Sequence, residues 1–250
     1  MEQNPPLEEQ QVHSVPSIKQ TGIFALDRIL GGGLPAGSLT YISADPKSMS
    51  EVFLYQFTLA RKTYYFTTNR KPLYVHQDII NQGFDASNVN FIDIYSEYYL
   101  TSSGEISDNI GNQYADTKII EFTEYNLKNI INDAKNDDVN IIIDNFTFFM
   151  NLNVNISLLK RILHLLYEST KEIQSLTYLY GLKGSHSEDI ENDIFNASDV
   201  IFDVHLEHSV DKVNNKLSVP KIRGMTPKTE IIKFNIAEGG IQIDTSKDIA

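Results

Sequence analysis

The sequence predicts an α/β fold: a mostly parallel central sheet, helices on both faces, and an antiparallel extension at the C-terminal end. Three observations carry this. Short runs rich in β-branched and aromatic residues (39–43, 88–96, 139–145, 176–180 and 199–206) are separated by segments with apolar residues at helical spacing, notably 117–136 and 155–171. That alternation is the pattern of strand–helix crossovers in a parallel sheet. Beyond residue 206 the helical segments stop, and 218–222, 229–236 and 240–243 read as antiparallel strands.

Taken in order, residues 1–17 are Pro-, Glu- and Gln-rich and read as a flexible tail, with structure beginning near Ile18. Ile23, Leu26, Ile29 and Leu30 share one helical face, and Gly31-Gly32-Gly33 stops that helix. Leu34-Pro35-Ala36-Gly37 turns the chain into a first strand over 39–43. A second short strand is expected over 72–76, followed by a helix that stops at Gly83, and a third over 88–96. Residues 98–118 are polar and rich in Gly, Ser, Asp and Asn, and read as an exposed excursion. Ile119, Ile120, Leu127, Ile130, Ile131 and Ala134 then recur at helical spacing, and the run Ile141-Ile142-Ile143 closes on Asp144. Leu158, Leu159, Ile162, Leu163 and Leu166 cluster on one side of the next helix. After the strand at 176–180, residues 181–192 read as a polar loop, and a hairpin turn is expected at Asn214-Asn215. No internal repeat is found, so 18–244 reads as one domain between the tails 1–17 and 245–250.

Composition narrows the function classes. At 250 residues, with 41% hydrophobic and 22% charged content, the chain has ample material for a buried core. Lys+Arg 21 against Asp+Glu 33 gives a formal net charge of -12, which disfavours coating of nucleic acid by a basic face. The absence of Cys excludes disulfides, thiolate nucleophiles and Cys-type metal sites. No apolar run approaches the ~20 residues of a membrane span, and the N-terminus has no apolar signal region. A cytoplasmic protein without membrane insertion is expected. The six His residues show no metal-site pairing, and no Gly-x-Ser-x-Gly elbow occurs. Tyr64, Tyr65, Tyr95, Tyr98 and Tyr99 lack interleaved Arg, and read as packing residues rather than base-stacking ones.

The stretch after the first strand is the most informative. Ala44-Asp45-Pro46-Lys47-Ser48-Met49-Ser50-Glu51 occupies the place of a phosphate-binding loop, G-x-x-x-x-G-K-[ST]. In register, Ala44 and Met49 stand at the glycines, Ser50 at the lysine and Glu51 at the magnesium-binding hydroxyl. Glycine is needed there so that backbone N–H groups can approach phosphate oxygens, and lysine for positive charge at the β/γ-phosphates. A methionine and a carboxylate remove both the room and the sign of the field. Lys47, three positions before the lysine site and flanked by Asp45, reads as a solvated side chain.

The run Thr21-Gly22-Ile23, Leu26-Asp27, Leu30-Gly31-Gly32-Gly33-Leu34-Pro35 and Gly37-Ser38 resembles the opening segment of the KaiC/RadA-type branch of RecA-fold ATPases. The match is specific because these residue types recur at fixed spacing, and the resemblance extends over roughly 18–243. It implies a RecA-like sheet, ending in the antiparallel extension the family shares. It also implies roles for four residues. Asp144 matches the Walker B carboxylate that helps hold magnesium. Asp78 matches one of two acidic residues after the second strand that orient the attacking water; Ile79 stands at the other. Lys221 and Arg223 resemble the Lys-x-Arg element that reaches a neighbouring subunit's γ-phosphate, and strand alternation puts them on one side.

These readings lead to the expectation of a pseudo-ATPase with a degenerate phosphate loop. It would act as a regulatory or assembly subunit, in a homo-oligomer or with an active RecA/KaiC-like relative, and no cofactor is expected. The alternatives are an atypical ATPase that holds ATP and magnesium through Lys47, Asp78 and Asp144, or a RadA-paralogue recombination mediator. A component of a signalling or motility complex is a further scaffold role of the same kind.

Overall fold

The computed structural model describes residues 17–135, 137–208 and 213–244. Apart from residue 17, the tails expected over 1–17 and 245–250 lie outside the described residues. Along the chain run β1 (Ile18–Lys19), α1 (Phe24–Leu30), β2 (Leu34–Pro35), β3 (Ser38–Ala44), α2 (Glu51–Phe57) and β4 (Lys62–Thr67). Then come α3 (Pro72–Asn81), β5 (Val89–Asp93), α4 (Ile94–Tyr99), α5 (Gln113–Asp133), β6 (Val139–Asp144) and α6 (Thr147–Met150). The chain continues through α7 (Ile156–Glu172), β7 (Leu176–Leu182), α8 (Glu188–Ala197), β8 (Val200–His208), β9 (Val213–Ile222), β10 (Lys228–Ala237) and β11 (Gly240–Ile243).

The central sheet has the order β11-β10-β9-β8-β3-β7-β6-β4-β5. Strands β8, β3, β7, β6, β4 and β5 are parallel, and β9, β10 and β11 continue antiparallel from β8. This is the mostly parallel, RecA-like layout with an antiparallel extension that the sequence predicts. Every residue of β3 and β6 is buried, as strands covered on both faces require. Alternation divides their side chains between two cores. Ile142 joins Tyr178, Phe57 and Phe53 on the face covered by α1, α2, α3 and the extension. Ile141 and Ile143 join Leu127, Phe149, Ile162 and Leu166 on the face covered by α4 to α8. The rings of Phe57 and Tyr178 stack with centroids 4.3 Å apart. Burying each such side chain contributes about 1.5–3 kcal/mol.

The opening segment has a local physical explanation. Asp27 is buried and accepts the Thr21 N–H at 2.8 Å, while Thr21 Oγ1 accepts the Ile23 N–H at 3.2 Å. α1 ends at Gly31 with φ 85, and the Gly32 N–H returns to the Asp27 carbonyl at 2.7 Å. At Gly33, φ is +137 and a Cβ would lie 2.1 Å from the Lys19 carbonyl oxygen, so β1 crosses there over bare backbone.

Several elements differ from the sequence expectation. Residues 72–76 form the first half of helix α3, not a strand. Pro72 opens the helix, and Val75 and Ile79, four apart, are its buried residues. The strand in that place is β4, whose Lys62 and Tyr64 are half-buried and interrupt its apolar run. The excursion over 98–118 is shorter than expected, because α4 runs to Tyr99 and α5 starts at Gln113 behind an Asn112 cap. The loop over 181–192 contains the end of β7 and the start of α8, whose first turn carries Glu188, Asp189 and Glu191. Acidic residues there complement the helix dipole, so a polar stretch is helical. Asn214 and Asn215 are strand residues of β9, opposite Glu207 and Leu206. The connection itself, at 209–212, lies outside the described residues. No helix among the described residues is long and apolar enough to cross a membrane.

Candidate functional site: a closed crevice at the carboxyl ends of β3, β4 and β6

Open α/β sheets bind ligands beyond the carboxyl ends of their strands. Here the loop 44–50 leaves β3, Asp144 ends β6, and the segment 68–70 leaves β4. β7 lies between β3 and β6, with Leu182 opposite Ala44 and Tyr180 opposite Asp144.

The loop after β3 is folded onto itself. The Asp45 N–H donates to the Val204 carbonyl at 3.2 Å, and the Ser48 N–H to the Asp45 carbonyl at 2.9 Å. The Lys47 N–H donates to Asp45 Oδ1 at 2.9 Å. Ser48 Oγ donates to the Asp45 carbonyl at 2.7 Å and also contacts Ser50 Oγ. Pro46 has no N–H to give. Three backbone donors of this loop, those of Asp45, Lys47 and Ser48, are therefore engaged within the loop and with β8. Ser48 and Ser50 are buried, while Lys47 and Met49 face solvent.

Across the crevice, Asp144 is almost fully enclosed, with a side chain 10% exposed. Tyr65 Oη donates to its Oδ2 at 2.8 Å. The guanidinium of Arg70, from the β4–α3 connection, provides the charge. Arg70 Nη2 lies 3.6 Å from Asp144 Oδ2 and donates to Tyr55 Oη at 2.7 Å, and Nη1 donates to Asp78 Oδ2 at 2.6 Å. Burial raises Asp144 above its ordinary carboxylate range, and Arg70 and Tyr65 oppose that shift. Glu51 is also raised, by burial first and by the nearby Asp144. Burial, with Asp144 next in order, pushes the Tyr55 and Tyr65 phenols well up, so both stay neutral hydroxyls. Burial works against the Arg70 charge, yet Tyr55 and Asp144 more than offset it and the guanidinium stays cationic.

The structure thus brings Glu51, Asp78 and Asp144 into one electrostatic cluster and places Arg70 among them. Asp78 sits on α3, eight residues after Arg70 rather than directly after a strand. Magnesium and ATP do not fit these residues: Met49 and Glu51 stand where bare backbone and a hydroxyl are needed, and Arg70 already engages Asp144. No group of three or more His, Cys, Asp or Glu able to hold a metal occurs among the described residues.

Lys221 and Arg223 lie elsewhere. Ile222, between them, pairs with Val200 at the start of β8, at the opposite end of the sheet from the loop 44–50. They share a side, as alternation requires, and both grip the C-terminus of α8. Lys221 Nζ donates to the carbonyls of Phe195 (2.5 Å) and Asn196 (3.3 Å). Arg223 donates to the carbonyls of Asn196 and Ala197 and lies 3.4 Å from Asp199 Oδ1. Burial, then the neighbouring Arg223, lowers the Lys221 ammonium below its ordinary range.

Sequence reasoning does not single out Arg70 or Tyr55, and it reads Tyr65, whose hydroxyl bonds Asp144, as a packing residue. The signal for Arg70 was weak: one cation in a polar connection, next to a strand that had itself not been recognised. No curated protein matches the chain. A protein-family model described as a family of unknown function (DUF7125) matches residues 18–250, nearly the whole sequence, and the chain belongs to that family.

Proposed function

We propose that this chain is a KaiC-like pseudo-ATPase that acts as a regulatory or assembly subunit, alone in a homo-oligomer or beside an active relative. One observation carries the reading: Arg70 bonds Asp78 and Tyr55 and faces Asp144, where a nucleotide-binding relative would need that carboxylate free for magnesium. The self-bonded loop supports it from the other side of the crevice. A triphosphate placed there would meet Glu51 and Asp144 without a lysine. At an effective dielectric near 20, each such repulsion at about 4 Å costs about 4 kcal/mol.

The test is calorimetric titration of the purified chain with Mg–ATP, alongside a phosphate-release assay. The expected result is neither saturable binding below about 1 mM nor turnover. Micromolar binding, or hydrolysis abolished by Asp144→Asn, overturns the proposal in favour of the atypical ATPase. Native mass spectrometry of the same sample reads the assembly state, and a strict monomer that captures no relative removes the scaffold part.

A further inference from the structure

A second cleft opens beyond the same edge of the sheet, next to the crevice but on the other side of the β6 terminus. Its volume is about 450 Å³, and it lies between the connections that follow β4, β6 and β7 and the helices α4, α5 and α6. That size is within the range of small-molecule sites. Its wall has a distinctive chemistry. Four asparagines line it, Asn69, Asn145, Asn151 and Asn153, together with the rings of Tyr98 and Tyr99, and no lysine or arginine does.

Asp116, the acidic residue of that wall, is buried and internally engaged. It accepts from the Tyr98 hydroxyl, and its second oxygen accepts the Asn153 N–H at 2.6 Å. Tyr98 Oη in turn receives the Gly111 N–H at 3.0 Å. Burial, then the bond to Asp116, holds the Tyr98 phenol up at about 12, so it remains a hydroxyl at any ordinary pH. Asn145 is 5% exposed and uses its side-chain oxygen on the Phe148 N–H at 3.2 Å, which leaves its NH₂ as the group it presents. Tyr98, Tyr99 and Phe148 pack edge to face around one another, with centroids 4.8–6.1 Å apart, and this fixes the aromatic part of the wall.

Each asparagine amide carries both donor and acceptor, and so does each hydroxyl of a sugar. An anionic ligand would face buried Asp116 and nearby Asp144 with no cation in the wall. Both oxygens of Asp116 are already taken by Tyr98 and Asn153, so the wall offers a ligand amides and rings rather than a free carboxylate oxygen. We propose that this cleft binds a neutral, polyhydroxylated ring: a saccharide, or the ribose of an uncharged nucleoside. Its amides pair with ring hydroxyls, and Tyr99 packs against the ring. The site does not depend on the fate of the phosphate loop, so it stands or falls separately from the pseudo-ATPase reading.

Saturation-transfer NMR and ¹H–¹⁵N titration of the full chain test this, with maltose, adenosine and adenosine monophosphate as probes. Maltose or adenosine is expected to bind and to shift the side-chain amide signals of Asn151 and Asn153. Binding by maltose alone identifies a saccharide site, and by adenosine alone a nucleoside site. Asn151→Ala and Asn153→Ala alter exposed residues, and each is expected to weaken binding about fivefold or more without changing the fold. Adenosine monophosphate is expected to bind at least about tenfold more weakly than adenosine. The proposal is overturned if neither neutral probe binds up to about 10 mM. It is overturned equally if adenosine monophosphate binds as well as adenosine, or if the asparagine variants leave binding unchanged.

Discussion

Replacing Arg70 by Met keeps most of the side-chain volume and removes the charge, so it isolates what the guanidinium does in the crevice. Three contacts are lost. The 2.6 Å pair with Asp78 joins side chains 37% and 43% exposed, and solvent screening limits it to about 0.5–1 kcal/mol. The 2.7 Å bond to Tyr55 Oη contributes about 1 kcal/mol. The third loss matters most, because Asp144 is left enclosed with Tyr65 as its remaining partner. Breaking a fully buried pair costs about 3–5 kcal/mol. Here Arg70 is partly exposed and 3.6 Å away, so roughly half of that applies, and the total is about 3–4.5 kcal/mol.

The pH dependence gives the sharper test. Asp144 already sits above its ordinary range because burial disfavours the carboxylate, and removing Arg70 removes the largest opposing influence. A carboxyl raised in the folded state favours folding while it is protonated, and this contribution is lost as pH rises through the folded pKa. In Arg70→Met that loss is larger. The stability gap from the parent chain is therefore widest above the variant's folded pKa, and it narrows as pH falls through the two folded values. Urea unfolding at about pH 8 and about pH 5 measures it, and Asp144→Asn in the Arg70→Met background is expected to recover about 1–2 kcal/mol at the higher pH. A gap below about 0.5 kcal/mol, or one equal at both pH values with no recovery by Asp144→Asn, refutes the reasoning.

Two further outcomes are expected. Lys221→Ala and Arg223→Ala each remove a cation from the C-terminal carbonyls of α8, and each is expected to cost about 0.5–1 kcal/mol and to speed amide exchange in α8 ahead of the rest of the sheet. Amide exchange that is unchanged in α8 would show that the two cations do not hold it. His186 is enclosed, with a side chain 1% exposed, neither ring nitrogen hydrogen-bonded, and Nε2 3.8 Å from Glu191 Oε1. Burial lowers its pKa below the ordinary 6.5, with Glu191 opposing the shift, so its contribution to stability is present above that value and lost as pH falls through the folded pKa. An NMR titration of the ring is expected to show a midpoint below 6.5, and His186→Leu is expected to flatten the acid limb of the stability curve; a midpoint above 6.5 contradicts this.

How far the fold could be read from the sequence depended on whether burial was written in residue type. β3 and β6 are covered on both faces and are rich in β-branched and aromatic residues, and α7 repeats Leu159, Ile162, Leu163 and Leu166 at helical spacing. β4 and α3 exchanged identities because each has few informative residues. Half-buried Lys62 and Tyr64 break the strand pattern, while Leu73-Tyr74-Val75 resembles a strand although only Val75 faces the core. α8 was hidden for a related reason: Ile194 is its one buried residue, and acidic side chains fill its first turn. At Asn214-Asn215 a turn preference gave way to ladder pairing across β8 and β9.

The candidate site was legible in its local motif and not in its long-range partners. In the register of a phosphate-binding loop, Ala44, Met49, Ser50 and Glu51 stand where a phosphate requires other groups, and this can be read because that motif is local in the chain. What now balances the crevice is not local. Tyr55 comes from α2, Tyr65 from β4, Arg70 from the following connection, Asp78 from α3 and Asp144 from β6, and only the parallel pairing of β4 with β6 brings them together. An enclosed carboxylate such as Asp144 requires a compensating donor or cation somewhere, since leaving it alone costs several kcal/mol. The sequence could pose that requirement but not answer it, because 21 lysines and arginines were available and strand order decided which one arrived. The same pairing carries Arg70 to Asp144. Lys47 of the β3 loop faces solvent, so the cation beside Asp144 is Arg70, delivered from the connection after the neighbouring strand β4.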